Sequence, residues 1–230
     1  MILMLNCSYK GNSANTMFFF DLLKNELMAC MDKQTHAFAD KSTEKSLDES
    51  KDKSIEIVQI KKVLNGQIED FVAKLQKADA LVIGAPLYVD GLPAQAVKVL
   101  EILLEDYKGK FPELLVYVVS NLGFYEAKQI QNLLAIVENW CARMGMTYGG
   151  GLAVGCGPMV RALSNMPMKK GPLKDIGMGL ETLAKNILAR STMGNYYTKT
   201  MIPRWVYLKA AHMTFGQTAK KNGLKVSDKK

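Results

Sequence analysis

A group of short polar side chains and one lysine lies near the start of the chain, directly after an apolar run. The donors within residues 6–16 include Ser8, Lys10, Ser13, Asn15 and Thr16. Hydroxyl, amide and ammonium groups at this spacing suit a phosphate group, because each donates hydrogen bonds to anionic oxygens. The same residue types also favour helix N-caps and turns. From this segment alone, a phosphate site and a plain turn are both open.

The elements on either side of this segment bear on the choice. Residues 2–5 are apolar and predict a short buried strand, and residues 13–31 predict a helix. A helix that follows a strand presents its first backbone N–H groups to the turn between them, at the positive end of the helix dipole. Strand, polar turn and helix together favour an anion site.

Five strand–helix units follow one another along the chain. We predict strands at 2–5, 55–60, 80–85, 114–120 and 148–155, and helices at 13–31, 65–77, 93–104, 127–144 and 173–189. This alternation predicts an α/β fold with a parallel sheet, helices on both faces and right-handed crossovers. Five such units suit the doubly wound strand order 2-1-3-4-5, in which ligands bind beyond the carboxyl ends of strands 1 and 3.

Two segments depart from this pattern in composition. Residues 32–54 are rich in Lys, Asp, Glu and Ser, which predicts a mobile polar insertion within a domain spanning 1–190. Residues 191–230 form a basic C-terminal extension. Residues 195–230 hold eight of the 30 Lys and Arg residues but one of the 22 acids, so their net charge is +7 of the total +8. Because the remainder is nearly neutral, we expect no nucleic-acid partner.

The cysteines and histidines do not suggest a metal site. The four cysteines form no C-x-x-C pair, which disfavours structural zinc and an iron–sulfur cluster. His36 lies in the polar insertion and His212 in the extension, which disfavours a catalytic triad. No apolar run is long enough to span a membrane, and no basic leader precedes the first strand. We therefore expect a cytoplasmic protein with reduced thiols.

Two further loops are predicted to lie at the same edge of the sheet as the polar turn. Residues 86–93 follow the third strand and place Tyr88 between two prolines, where its ring would lie against a planar ligand. Residues 120–126 follow the fourth strand, where Asn121 supplies a donor and Gly123 permits close backbone approach. Three such loops at one edge indicate a ligand with a phosphate and a planar ring more strongly than any one of them.

These loops resemble those of the NAD(P)H-dependent FMN reductases, a branch of the flavodoxin-like flavoproteins. The resemblance covers residues 1–190. The family's first pattern, Asn-Gly-Ser-Pro-Arg/Lys followed by Ser/Gly-Asn-Thr, is matched by Asn6, Ser8, Lys10, Asn15 and Thr16. Its Pro-Ile/Leu-Tyr loop is matched by Pro86, Leu87 and Tyr88, and its Gly-Phe-x-Glu segment by Gly123, Phe124 and Glu126. Cys7 stands where Gly is usual and Tyr9 where Pro is usual, which would change the first turn. The compact cysteine motif of the related iron–sulfur flavoproteins is missing.

The resemblance implies a flavodoxin-like, doubly wound, five-stranded parallel sheet with a C-terminal helical extension. It also implies FMN as the cofactor and NADPH or NADH as the electron donor. The flavin would carry the chemistry, so no catalytic side chain is assigned. The residues implied to bind the phosphate are Ser8, Lys10, Ser13, Asn15 and Thr16. Those implied to flank the ribityl chain and the ring are Pro86, Leu87, Tyr88, Val89, Ser120, Asn121, Gly123 and Phe124.

An enzyme of this kind would pass electrons through FMN to a quinone, a flavin or another small acceptor by a ping-pong mechanism. One alternative is a flavodoxin-type electron carrier, although typical flavodoxins are strongly acidic and this chain is not. Another is a flavin-binding protein that docks on a partner or a membrane through its extension. Similar flavoproteins are commonly dimers, so we expect a homodimer in which the extension lies on the partner subunit or over the flavin site. Contact of residues 196–220 with a membrane surface is the alternative.

Overall fold

Strands and helices alternate along the chain in the computed structural model, which describes residues 1–39 and 54–224. The strands are β1 (Ile2–Asn6), β2 (Ile55–Gln59), β3 (Ala80–Pro86), β4 (Leu115–Asn121), β5 (Thr147–Val154) and β6 (Tyr196–Tyr197). The helices are α1 (Asn15–Ala39), α2 (Ile60–Leu64), α3 (Ile68–Lys77), α4 (Ala94–Asp106), α5 (Gln131–Met144), α6 (Gly157–Ala162), α7 (Lys174–Ala189) and α8 (Arg204–Lys221).

The described strands form one parallel sheet in the order β2-β1-β3-β4-β5-β6. The predicted order 2-1-3-4-5 is confirmed, and the fold is flavodoxin-like. β6 was not predicted, because its two residues are too few to show an alternating pattern. In β1, Ile2 lies opposite Ile55 of β2 and Ala80 of β3. The carboxyl ends of β1, β3 and β4 therefore meet at one edge of the sheet.

Apolar layers cover both faces of the sheet. Successive strand residues point to opposite faces, so Leu3 and Leu5 of β1 contribute to one layer and Ile2 and Met4 to the other. The first layer packs against α3, α4 and α5, and the second against α1 and α7. Burial on both faces explains why β1, β3 and β4 are almost continuously apolar in sequence.

The first helix is longer than the sequence predicted. α1 continues to Ala39, so the predicted end at Met31 is wrong and residues 32–39 are helical. The sequence after Met31 includes Lys, Gln and Ala, which are good helix formers, but its polarity hides the apolar periodicity that marks a packed helix. The rest of the predicted mobile insertion, residues 40–53, lies outside the described residues. The division into a domain of residues 1–190 and an extension stays a prediction.

The C-terminal extension begins with β6 and continues into α8. The carboxylate of Asp175 on α7 holds this connection, because it accepts hydrogen bonds from the Tyr196 hydroxyl at 2.7 Å and from the Lys199 N–H at 2.5 Å. Across the described parts of the chain, the helices are too short or too polar to cross a lipid bilayer.

Candidate functional site

Asn6, the last residue of β1, fixes the path of the loop that follows it. Its buried side chain accepts a hydrogen bond from the Ser8 N–H at 3.0 Å and donates one to the Gly11 carbonyl at 3.1 Å. The Asn6 Nδ2 also donates to Gln59 Oε1, 2.8 Å away at the end of β2. Gly11 adopts a φ of +58°, which L-residues rarely take, and this lets the chain turn sharply. Sequence reasoning missed Gln59, because only the sheet order brings β2 beside this loop.

The two departures from the family pattern, Cys7 and Tyr9, lie on opposite sides of this turn in terms of burial. Cys7 is buried, and its N–H donates to the Gly84 carbonyl at 2.8 Å, which extends the pairing of β1 with β3. Its thiol belongs to the apolar layer rather than to the turn, and burial raises its pKa far above the ordinary value. Tyr9 is exposed, with the Lys61 ammonium 3.7 Å from its ring centroid. Neither side chain donates or accepts a hydrogen bond within the turn in these contacts, and a change of the first turn relative to the family stays a prediction.

Two basic residues, Lys10 and Arg161, lie near the start of α1. The first turn of α1 contains no acidic residue, and Lys10 lies in the turn just before it. The Arg161 guanidinium, at the end of α6, donates to the Ser13 carbonyl at 3.0 Å and to Asn15 Oδ1 at 3.3 Å. The N-terminal end of a helix already carries partial positive charge, so an anion is stabilised here and a cation is not. A bound phosphate would relieve this concentration of positive charge.

Asn121, the last residue of β4, joins the three predicted loops. Its side-chain oxygen accepts a hydrogen bond from the Thr16 hydroxyl at 3.1 Å. Its backbone carbonyl accepts another from the Leu87 N–H at 2.9 Å. Both Thr16 and Asn121 are buried. The loops after β1, β3 and β4 are thus connected through one residue, as their predicted position at a common edge requires.

A cavity of about 220 Å³ lies between these loops and the start of α6. It is lined by Ser8, Lys10, Ser13, Ala14, Asn15, Thr16, Pro86, Leu87, Tyr88, Asn121, Leu122, Gly123 and Pro158. All but three of the predicted cofactor residues are in this lining. Ala14, Leu122 and Pro158 were missed because apolar residues give no chemical signal in the sequence. The Ser13 hydroxyl donates to the Lys10 carbonyl at 2.9 Å, so in this arrangement its proton serves the loop itself.

Val89, Ser120 and Phe124 are the predicted residues that do not line the cavity. Val89 is fully exposed at the tip of a tight turn closed by hydrogen bonds between Tyr88 and Gly91. Ser120 is buried between Ala85 and Ala153 in the opposite apolar layer, and its Oγ has no hydrogen-bond partner. Neighbouring strand residues point to opposite faces, so Ser120 and Asn121 do not share the cavity. The Phe124 side chain is 66% exposed beyond the rim.

A fourth loop, after β5, supports the loop after β4. The Cys156 N–H donates to the Phe124 carbonyl at 2.7 Å, and the Gly157 N–H donates to the Leu122 carbonyl at 2.8 Å. At Gly155 a Cβ atom would lie 2.6 Å from the Tyr125 carbonyl oxygen, so a side chain would push the two loops apart. This close approach explains part of the glycine-rich sequence around β5, and it places Pro158 and Arg161 beside the cavity.

The fold and the site together define a class of protein. A doubly wound parallel sheet with a polar turn, a helix N-terminus and a cavity beyond the carboxyl ends of β1, β3 and β4 is a flavodoxin-like protein with a candidate ligand site at this edge. The model of the NADPH-dependent FMN reductase family matches residues 1–150, and the chain belongs to this family. Membership implies FMN as the bound cofactor, a nicotinamide nucleotide as the electron donor and flavin-dependent oxidoreduction as the activity.

Solved structures confirm the fold. An NADH:FMN oxidoreductase in its apo form is 13% identical with a TM-score of 0.58, covering 83% of this chain and 89% of that one. An oxidoreductase from Corynebacterium diphtheriae is 11% identical with a TM-score of 0.55, covering 82% and 94%. Oxidised flavodoxin 2 from Bacillus cereus is 15% identical with a TM-score of 0.51, covering 83% and 99%. No curated protein matches the sequence.

Proposed function

We propose that this protein is an NAD(P)H oxidoreductase that passes electrons through bound FMN to a small acceptor by a ping-pong mechanism. The observation that supports this most directly is the balance of charge at the start of α1. Lys10 and Arg161 lie beside the helix N-terminus, and its first turn contains no acidic residue. These positive groups would stabilise a bound phosphate group, and FMN carries one.

The lining of the cavity suits the rest of the cofactor. Ser8, Thr16 and Asn121 are buried polar residues of the lining, and Tyr88 and Gly123 add the loops after β3 and β4. Amide and hydroxyl groups of this kind would hold the hydroxyls of the ribityl chain. The Tyr88 side chain is 46% exposed, so its ring is accessible to a planar partner. Bound FMN supplies the hydride and electron transfer, and the protein holds and orients it.

The size of the cavity supports alternating access. Its volume of about 220 Å³ is below the roughly 300 Å³ at which pockets begin to enclose a small organic ligand. FMN would therefore not be wholly enclosed, and part of its ring would face solvent. An open ring face allows the nicotinamide and the acceptor to occupy the same place in turn. We propose NADPH as the first donor to test, since the family's description names NADPH. We propose a quinone, a flavin or another electron-poor small molecule as the acceptor.

A comparison of FMN with riboflavin tests the assignment, because the two differ only by the phosphate. Flavin fluorescence quenching on titration with the protein gives both dissociation constants. We expect FMN to bind at least tenfold more tightly than riboflavin. We also expect the affinity for FMN to fall as salt is added. Lys10→Gln should reduce this preference, and Lys98→Gln, on the exposed side of α4, serves as the matched control. Equal binding of the two flavins, or binding of neither, would refute the proposed phosphate site.

A further inference from the structure

Helix α8 carries several large apolar side chains that remain exposed to solvent in the described chain. Trp205, Leu208, Met213 and Phe215 are 69%, 40%, 59% and 74% exposed. Tyr207 is the one buried residue of this helix. Isolated exposed apolar residues are normal on protein surfaces, but four on one 18-residue helix mark an interaction surface.

Three of these residues share one face of α8. Trp205, Leu208 and Phe215 are separated by three and seven positions, which correspond to about one and two helical turns. The face they form is about 15 Å long, from the rise of roughly 1.5 Å per residue. His212 lies on the same face between Leu208 and Phe215. We refer to Trp205, Leu208 and Phe215 as the α8 apolar face.

The charged side chains that α8 itself carries are all positive. Residues 204–224 contain Arg204, Lys209, Lys220 and Lys221 and no acidic residue. Arg204 is paired with Glu126, whose Oε1 lies 3.1 Å from its Nε. The three lysines of the helix appear in no ion pair among the described residues. This surface therefore suits an occupant that is apolar where it meets the α8 apolar face and anionic where it meets the lysines.

We propose that α8 binds the surface of an anionic lipid membrane, with its apolar face at the boundary between headgroups and acyl chains. Trp, Leu and Phe are the side chains that enter this boundary, and lysines beside them reach the lipid phosphates. A second copy of α8 fits less well, because pairing two such helices would bring positive charges together without acids between them. The inference does not depend on FMN binding.

Contacts between α8 and the loop after β4 connect the proposed membrane-binding helix to the cavity. The Tyr207 hydroxyl donates to the Gly123 carbonyl, and the Tyr125 hydroxyl donates to the Ile202 carbonyl at 2.8 Å. The rings of Tyr125 and Tyr207 lie 5.8 Å apart. Gly123 lines the cavity. A membrane-bound α8 would thus hold the mouth of the cavity close to the lipid surface, where lipid-soluble acceptors are concentrated.

Co-sedimentation of the full-length protein with vesicles tests this proposal. The vesicles are phosphatidylcholine alone or phosphatidylcholine mixed with phosphatidylglycerol. We expect binding to the mixed vesicles only, and weaker binding as salt is added. Lys209→Gln combined with Lys220→Gln should weaken binding about 25-fold, since each basic residue near an anionic surface contributes roughly fivefold. Trp205→Ala combined with Phe215→Ala should abolish it. The matched controls are Lys98→Gln with Lys108→Gln and Val97→Ala with Met178→Ala, at exposed positions on other helices or loops.

Three outcomes would overturn the proposal. The first is failure to bind the mixed vesicles. The second is binding that the α8 variants leave unchanged while the protein stays folded by circular dichroism. The third is concentration-dependent self-association in light scattering that Trp205→Ala with Phe215→Ala removes, since a second copy would then occupy the α8 apolar face. FMN titration of the same variants separates this result from the flavin assignment, because α8 substitutions should leave FMN affinity unchanged.

Discussion

The Thr16 hydroxyl donates a hydrogen bond to the Asn121 side chain at 3.1 Å, across 105 positions of sequence. Thr16 lies in the first turn of α1 and Asn121 at the end of β4, and both are buried. This bond joins the helix that would receive the phosphate to the strand whose following loop lines the cavity. Its removal should therefore affect both folding and cofactor binding.

Thr16→Val removes the donor while keeping the shape of the side chain. The Asn121 oxygen then lacks its partner in a buried site, and we expect the free energy of unfolding to fall by about 1–3 kcal/mol. Chemical denaturation measures the change, and an FMN titration should show weaker binding in the same variant. Thr182→Val is the matched control, because that hydroxyl donates only to the Met178 carbonyl within its own helix and is exposed. Equal effects of the two substitutions would contradict the role given to the Thr16–Asn121 bond.

Arg161→Gln removes a cation from beside the start of α1. We expect FMN affinity to fall about tenfold, because a hydrogen bond to a charged group contributes roughly 1.5 kcal/mol or more. Riboflavin affinity should not change, since riboflavin lacks the phosphate. Arg143→Gln, at the exposed end of α5, is the control. A similar loss for both flavins would show that Arg161 supports the loop without acting on the phosphate.

Val89→Asn should stabilise the protein. Val89 has a φ of +47° and Asp90 a φ of +59°, and a β-branched residue is strained in this left-handed region. Asn adopts the region readily, so we expect the free energy of unfolding to rise by about 1 kcal/mol. The substitution costs little packing because the Val89 side chain is exposed. Val97→Asn, within α4, should instead be neutral or destabilising, and stabilisation by both would point to a cause other than the turn.

Gly84→Ala should destabilise the sheet beneath the site. A Cβ atom at Gly84 of β3 would lie 2.3 Å from the Phe20 ring of α1 and 2.9 Å from the Thr16 methyl group. α1 would have to move away from the sheet, and we expect a loss of about 1–3 kcal/mol or more in thermal or chemical unfolding. Gly194→Ala is the control, because a Cβ atom there meets no atom within 4 Å. An unchanged stability for Gly84→Ala would show that α1 is less tightly packed on β3 than these distances require.

The buried thiols and Tyr117 predict a loss of stability at alkaline pH. Burial raises the pKa of the Cys141 thiol to about 12 and that of Cys156 to about 11, from an ordinary value of 9.0. Burial also raises the pKa of Tyr117 to about 12. At a pH between the ordinary pKa and the raised pKa of each group, the unfolded chain has released a proton that the folded chain keeps. The free energy of unfolding should therefore fall as pH rises above about 9. Each such group contributes a slope of about 1.4 kcal/mol per pH unit.

Denaturant titrations at a series of pH values measure this dependence. The same groups predict that a thiol reagent at pH 8 reacts slowly with the folded protein and quickly with the unfolded chain, because the thiolate fraction is small in the fold. A stability that is constant or rises from pH 9 to pH 11 would contradict the sign of these shifts.

The sequence predicted most of the sheet and most of the cavity, for physical reasons that differ from residue to residue. The central strands are buried on both faces, so their apolar runs are unmistakable. Lys10, Thr16 and Asn121 were found because polar residues that follow such strands lie at the edge where this type of sheet binds its ligands. The helical part of the predicted insertion, residues 32–39, was missed because its polar composition resembles that of a loop.

The residues that sequence reasoning missed act across long separations. Gln59 reaches the first loop only because β2 pairs with β1, and Arg161 does so only because α6 follows β5 at the same edge. Ser120 was expected to share the site with Asn121, but the alternation along β4 turns it to the other face. A local sequence pattern identifies a polar loop. The positions of Gln59, Arg161 and Ser120 depend instead on which strands pair and on which face of the sheet each side chain lies.

Anaerobic titration of the FMN-loaded protein with NADPH, and then with NADH, tests most directly whether this chain is an NAD(P)H oxidoreductase. We predict that the flavin absorbance bands bleach on addition of one or both nucleotides and return when a quinone is added afterwards, as a ping-pong enzyme requires. Bands that persist with both nucleotides but bleach with dithionite would contradict this function and favour an electron carrier.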